Sequence, residues 1–347
     1  MKKDNINKRI NLRNLIYVVF NMLFFLGINN CATVQVSIPV THPAEINMNA
    51  YKTIAVSNME GPIGSEVSDG IKESLVESNR FKVIDPAYMN QILRQLRMTG
   101  NDLFDQNKRV ELGKLIPAAV LIVGHTKATV EKRDYNATAT CYQYYQCGNN
   151  TCSTPYACTE YWCETTVNAY AGLEVIDVST GSLLRSKQLP YTKVADSGKT
   201  TGGQPACPDA SPLLSNAVSY IVSTFMHSIQ PWTEMVEVPF MKDDDIPELK
   251  IGIEYAQAGQ MDGAVKQFEE AVQNAKTNPK LAPEDVARAY WDLGLSYEYS
   301  DQFDKAIAAF QSAFQNDPGK EQYLQEENQV KARQRDYQML KEQENTK

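Results

Sequence analysis

Two stretches in the C-terminal third of this 347-residue chain repeat one another. Gly252, Tyr255, Ala264, Phe268 and Ala271 recur in the same order and spacing as Gly294, Tyr297, Ala306, Phe310 and Ala313, and Pro318 closes the second set. The offset from Gly252 to Gly294 is 42 residues, a unit of about 34 with about eight more inserted near Asn274–Ala282. Spacing within each set is helical. Small residues fall where paired helices must approach closely, and Tyr and Phe fill the gaps between them. This pattern commits residues 246–318 to stacked helical hairpins. Residues 319–347 continue as a charged helix with a sparse apolar stripe through Leu324, Val330, Tyr337 and Leu340. That helix is expected to cap the stack or to dock elsewhere.

The other end of the chain reads as an address. Residues 1–30 hold five of the 34 Lys and Arg residues and one of the 42 acids, so the remainder is more acidic than the net charge of −8 suggests. An acidic body gives phosphates no continuous counter-charge, so a nucleic-acid partner is not expected. A basic start is followed by the apolar run Leu15–Leu26, too short to span a bilayer. GINNC then places Cys31 where an exported lipoprotein carries its acylated cysteine. We expect residues 1–30 to be a signal peptide and residues 31–50, polar and broken by Pro39 and Pro43, to be a lipidated tether. Cys31 would hold the protein on a bilayer through its acyl chains. Ala32, rather than Asp, after the cysteine fits the outer membrane.

Between these ends the pattern is α/β. Tyr51–Ser57 and Phe81–Ile84 read as strands, Ser65–Ser78 and Tyr88–Leu96 as helices, and Asp105–Leu115 as a further short helix. Ala118–Val123 is a near-continuous apolar run, as in a central strand buried on both faces. Val167–Val178 and Leu183–Val194 form a hairpin about Ser179-Thr180-Gly181, and Leu213–Ile229 is an amphipathic helix. The fold class expected is an α/β core with a mixed sheet over residues 51–232, joined to an all-α repeat domain. Residues 230–247 read as a link, with Asp243–Asp245 as a solvated hinge.

Cysteine usage marks the insert at residues 133–166. If Cys31 is acylated, six cysteines remain: Cys141, Cys147, Cys152, Cys158, Cys163 and Cys207. An even number in an exported chain suggests three disulfides. The insert holds five, so one needs a partner outside it, and Cys207 is the candidate in the chain. The spacings are wider than zinc-binding pairs favour. Such an insert reads as a disulfide-stapled loop. Its aromatic residues either serve as contacts or pack on the sheet.

The C-terminal repeat is the tetratricopeptide pattern, whose usual work is to hold a peptide or a protein partner. The phrases TIAVSNMEG, VSDGIKESLVESNRFKVID, MNQILRQL, ELGKLIPAAVLIVGHT and VNAYAGLEVIDVSTGSLLRS, taken in order, resemble the curli secretion channel lipoprotein family. The resemblance implies an anticodon-binding-like α/β core. Together with CATVQVSIPV after Cys31, Cys207-Pro208 before the last core helix and the C-terminal repeats, the whole is similar to a leptospiral outer-membrane lipoprotein family. It departs from the channel at three points. The loop Asn58–Gly64 is too short for a pore constriction, residues 133–166 lack an alternating lipid-facing pattern, and residues 195–210 are too short for a second membrane hairpin. The fold and anchor are carried over and the pore is not.

No HExxH, GxSxG, Walker A or GxGxxG motif occurs, and the three histidines are His42 in the expected tether, His125 at a strand end and His227. We expect no catalytic residue, no metal site and no cofactor. A Cys-Pro haem contact through Cys207 is the one exception carried forward. The function expected is a non-enzymatic outer-membrane lipoprotein that serves as an interaction or assembly platform for envelope or secreted proteins, with self-association possible. A secretion component is the alternative.

Overall fold

In a computed structural model the described residues are 32–84, 92, 94–99, 102, 105–115 and 119–345. The expected signal peptide and Cys31, and most of the helix expected at Tyr88–Leu96, lie outside them. The chain divides into two compact units. The first takes residues up to Val40 and Thr233–Arg335, and the second Thr41–Trp232 and Asp336–Lys347.

The second unit holds the α/β core. Strands β2 (Thr53–Val56), β3 (Lys82–Val83), β4 (Ala119–Cys147), β5 (Asn150–Asp177) and β6 (Ser182–Asp196) form one sheet in the order β3-β2-β4-β5-β6. β2 runs parallel to β3 and β4, while β4–β5 and β5–β6 are antiparallel, so the sheet is mixed as expected. Helices α1 (Gly64–Glu77) and α3 (Ser211–Ile229) cover one face, with α2 (Gln106–Leu115) between β3 and β4 in the chain. Val67, Ile71 and Leu75 of α1 and Ala217, Ile221 and Phe225 of α3 pack in one cluster with Ile54, Val56, Val120 and Ile122. Ala55, Leu121, Val123 and Ile176 point to the other face, where Ile84 and Ile92 meet them. The apolar run in β4 is therefore buried on both sides, which is why its sequence does not alternate.

The cysteine-rich insert differs from its expected form. It is not a loop: β4 and β5 stay in register from Val120↔Asp177 to Cys147↔Asn150 without a bulge, and Gly148 at φ 66° turns the tip. β6 ends opposite Glu164, so from Arg133 outward the two strands continue as a ribbon about 45 Å long. A two-stranded ribbon buries too little to hold itself in water, and the disulfides supply what a core would.

The first unit contains the repeats. Helices α4 (Pro247–Gln257) and α5 (Met261–Thr277), then α6 (Pro283–Glu298) and α7 (Phe303–Asn316), form two helical hairpins, and α8 (Gln322–Asn345) follows. The repeat logic is visible at its glycines. A Cβ on Gly252 would stand 2.5 Å from the Phe268 ring, and one on Gly294 would stand 2.7 Å from the Phe310 ring. Ala264, Ala271, Ala306 and Ala313 are fully buried beside them, and Tyr297 is buried. Tyr255 differs from its counterpart: it is 39% exposed and lies over Gly263. Pro318 is exposed in the turn after α7.

Two expected connectors are ordered strands. Residues 32–42, read as tether, are β1 (Ala32–His42), and much of the expected link is β7 (Trp232–Lys242); the two pair as a separate sheet. The polar look of β1 comes from strict alternation. Val36, Ile38 and Val40 are buried while Thr33, Gln35, Ser37 and Pro39 are exposed. Residues 43–50 are held as well, because the Gln343 amide accepts from Ala44 N–H at 3.0 Å and donates to its carbonyl at 2.8 Å.

Candidate interaction surfaces

The ribbon at the end of β4 and β5 is assembled from its cysteines upward. Cys141 bonds to Cys158 and Cys147 to Cys152, each with Cα atoms 5.8 Å apart. Both bridges run diagonally across the register, since Cys141 faces Tyr156 and Tyr145 faces Cys152. The period of two then places both bridges on one face with Tyr145 and Tyr156, and sends Tyr142 and Tyr144 to the other. All four tyrosines are at least half exposed, Tyr144 at 70%. No residue between Asp134 and Glu160 is charged. Native edge strands are commonly guarded by charge; this ribbon presents amides, hydroxyls and phenols instead.

The base of the ribbon is fixed separately. Cys163, fully buried, bonds to Cys207, with Cα atoms 4.9 Å apart. Tyr161 and Thr200 exchange backbone hydrogen bonds of 2.8 and 2.9 Å. Tyr135 stacks on Trp162 at 5.4 Å, and Gln204 donates to Asp134 at 3.0 Å. The sulfur considered for haem is thus in a disulfide and offers no thiolate in that state. Asp134 lies close to the Cys163 and Cys207 sulfurs, the one such group among the described residues.

A second surface lies in the repeat unit. A cavity of about 730 Å³ between α5 and α6 is lined by Lys266, Glu269, Glu270, Gln273, Tyr290 and Tyr297. Burial pushes the Tyr297 phenol up, and its hydrogen bond to Glu269 does the same. Next to these helices β7 is gripped by α6. Trp291 Nε1–H donates to the Pro239 carbonyl at 3.0 Å, Met241 N–H donates to Asp292 at 2.8 Å, and Phe240 stacks on Phe268 at 5.5 Å. Arg288 binds Asp243 at 2.6 Å, so this acid is not the solvated hinge residue expected, although Asp244 and Asp245 are exposed. Asp292 is fully buried, which drives its carboxyl well above the usual range against the pull of the Met241 N–H. Burial likewise raises Glu298 to about 8, although Arg333 stands 3.5 Å away and favours the anion. Sequence reading passed over both acids; the available signal was an acid in a helix with apolar neighbours on almost every side.

A third arrangement, in the α/β unit, gathers two of the three histidines. Trp232 stacks on His227, ring centroids 3.9 Å apart, and on His42, 4.5 Å apart. His42 Nδ1 is 3.6 Å from Asp336, and a cavity of about 410 Å³ adjoins the stack, lined also by Glu45 and Lys187. His42, assigned to the tether, is therefore a packing residue. His125 does not end its strand, which runs on for 22 residues to Cys147, and it is exposed near Tyr170.

An α/β core carrying a stapled ribbon, joined to a helical-repeat unit, is the class that this geometry defines. Residues 32–139 match the family profile described as curli production assembly/transport component CsgG, and residues 287–320 match a tetratricopeptide repeat. Neither covers half of the chain. No curated relative matches it. Among solved structures the chain is similar to the LpoB C-terminal domain from Salmonella enterica, with 10% identity, 40% of this chain and 82% of that one covered, and a TM-score of 0.25. It is also similar to lipoprotein GNA1162 from Neisseria meningitidis, with 17% identity, 51% and 99% covered, and a TM-score of 0.27.

Proposed function

We propose that this protein is a lipid-anchored, non-enzymatic component of the bacterial cell envelope that holds protein partners, with the stapled ribbon as its principal contact surface. Acylated Cys31 anchors it to the outer membrane, and the repeat unit offers a further groove. The observation that carries this reading is the ribbon: two diagonal disulfides stiffen an uncharged strand pair that displays four exposed tyrosines. Tyrosine offers large amphipathic contact area at low entropic cost, and interfaces are enriched in it. The curli assembly profile over residues 32–139 and the repeat match support an assembly role.

The test is site-specific photocrosslinking in intact cells, with a photoreactive phenylalanine analogue in place of Tyr144 or of Lys331 on α8. Discrete protein adducts from position 144 and none from 331 are expected. A ribbon that gives no adduct while the protein is present and folded contradicts the reading.

One observation favours a secretion component as a second reading. The insert is a true antiparallel strand pair, longer than the roughly 9–11 residues per strand that cross a membrane. Steps of conductance in planar bilayers would support it; a silent bilayer at high protein density would remove it.

A further inference from the structure

We propose that the outward face of the β1–β7 sheet rests on the lipid headgroups, so that the repeat unit is the part of the protein seated against the bilayer. The inference rests on the anchor reading above and deepens it. A protein tethered through 20 flexible residues would stand off its membrane by about 25 Å on average. That slack is missing here. β1 begins at Ala32, the residue after Cys31, and its inward side chains Val36, Ile38 and Val40 are buried. Its partner strand is locked to α5 and α6 by the Phe240–Phe268 stack, the Trp291–Pro239 bond and the Met241–Asp292 bond. A diacylglyceryl group on Cys31 is thereby joined to a folded unit with no intervening spacer.

The chemistry of the outward face fits a headgroup layer. Thr33, Gln35, Ser37 and Pro39 are exposed and uncharged, and residues 31–41 hold no Asp, Glu, Lys or Arg. In β7 Val238 and Phe240 are buried while Glu237 is exposed, and at its start Thr233, Glu234 and Met235 are all exposed, Met235 at 60%. The exposed side chains of the two strands therefore carry only the charges of Glu234 and Glu237, in a chain whose part after residue 30 is more acidic than its overall net charge of −8. Burying the polar hydroxyls and the amide among headgroups costs little, because water and phosphate oxygens remain available as partners.

The experiment uses the full-length acylated protein on vesicles of phosphatidylethanolamine and phosphatidylglycerol that contain a headgroup nitroxide lipid. A fluorescent amino acid replaces Ser37, and flotation reports attachment. Strong quenching is expected at position 37. It should fall by about threefold or more when a flexible Gly/Ser spacer of about 20 residues is inserted between Cys31 and Ala32, with flotation unchanged. Ile38→Asp, which unseats β1, should act like the spacer. Flotation with equal, weak quenching in the native and spacer proteins overturns the seating and leaves the anchor standing. If Cys31→Ala floats as well as the native protein, the anchor reading and the seating both fall.

Discussion

At the residue scale the two buried acids of α6 decide how the repeat unit responds to pH. Glu298 is held near 8 in the folded state by burial, against an ordinary carboxyl value when unfolded. Between those values the folded form binds more protons than the unfolded form, so stability is greatest at the acid end and is lost as pH rises through about 8. Asp292 acts in the same direction. Thermal unfolding at pH 5.5 and pH 9 should therefore show a lower Tm at the alkaline end, by several degrees. Glu298→Gln should flatten that slope in part, leaving the share owed to Asp292. A Tm that rises with pH across this window would contradict the assignment.

Residue chemistry also shows what a sequence can and cannot disclose. Gly252 and Gly294 were legible because a glycine facing an aromatic ring recurs at one spacing. Asp292 and Glu298 are harder to read, because apolar neighbours in the helix are the one local sign, and their burial comes from the helix stack. The disulfide partner for the insert was reachable by counting, whereas the pairing inside the insert required the strand register. The same repeat-packing reading gives a further expectation. Gly294→Val would drive two branched methyls into the Phe310 ring and should cost about 2–4 kcal/mol of stability, read from urea unfolding.

At the element scale the misreadings share a cause. β1 reads as a tether in sequence because Val, Gln, Ser and Pro in turn resemble a polar connector; burial of every second side chain is a tertiary fact. The ribbon reads as a loop in sequence because neither face is apolar enough to produce a strand signal. Both elements are strands for non-local reasons: β1 has a partner in β7, and β5 has its disulfides with β4. The central strand at Val120–Val123 and helices α1 and α3 were legible because each buries an apolar face against the sheet. The bridge from Cys163 to Cys207, with 44 residues of sequence separation, should be the most stabilising of the three. Cys163→Ala with Cys207→Ala is expected to lower stability by roughly 4 kcal/mol by loop-closure entropy, with less from losing Cys147–Cys152. Equal losses from the two pairs in denaturant titrations would argue against that order.

At the scale of the whole molecule, two independently packed units share one chain that crosses between them after Val40, after Trp232 and after Arg335. The α/β unit contributes the stapled ribbon and the repeat unit contributes the grip on β7 and a charged groove. Among the described residues no helix is long and apolar enough to cross a membrane, and attachment through Cys31 belongs to the proposed function. Contact through the ribbon is its central claim. The most direct measurement compares the native protein with a variant carrying Ser at Tyr142, Tyr144, Tyr145 and Tyr156, each expressed in its own cells and crosslinked in place. The variant should keep its melting temperature within about a degree, because these side chains are exposed and buttress no core. It should also lose the crosslinked partners that the native protein captures. An unchanged set of partners at unchanged stability would contradict the account.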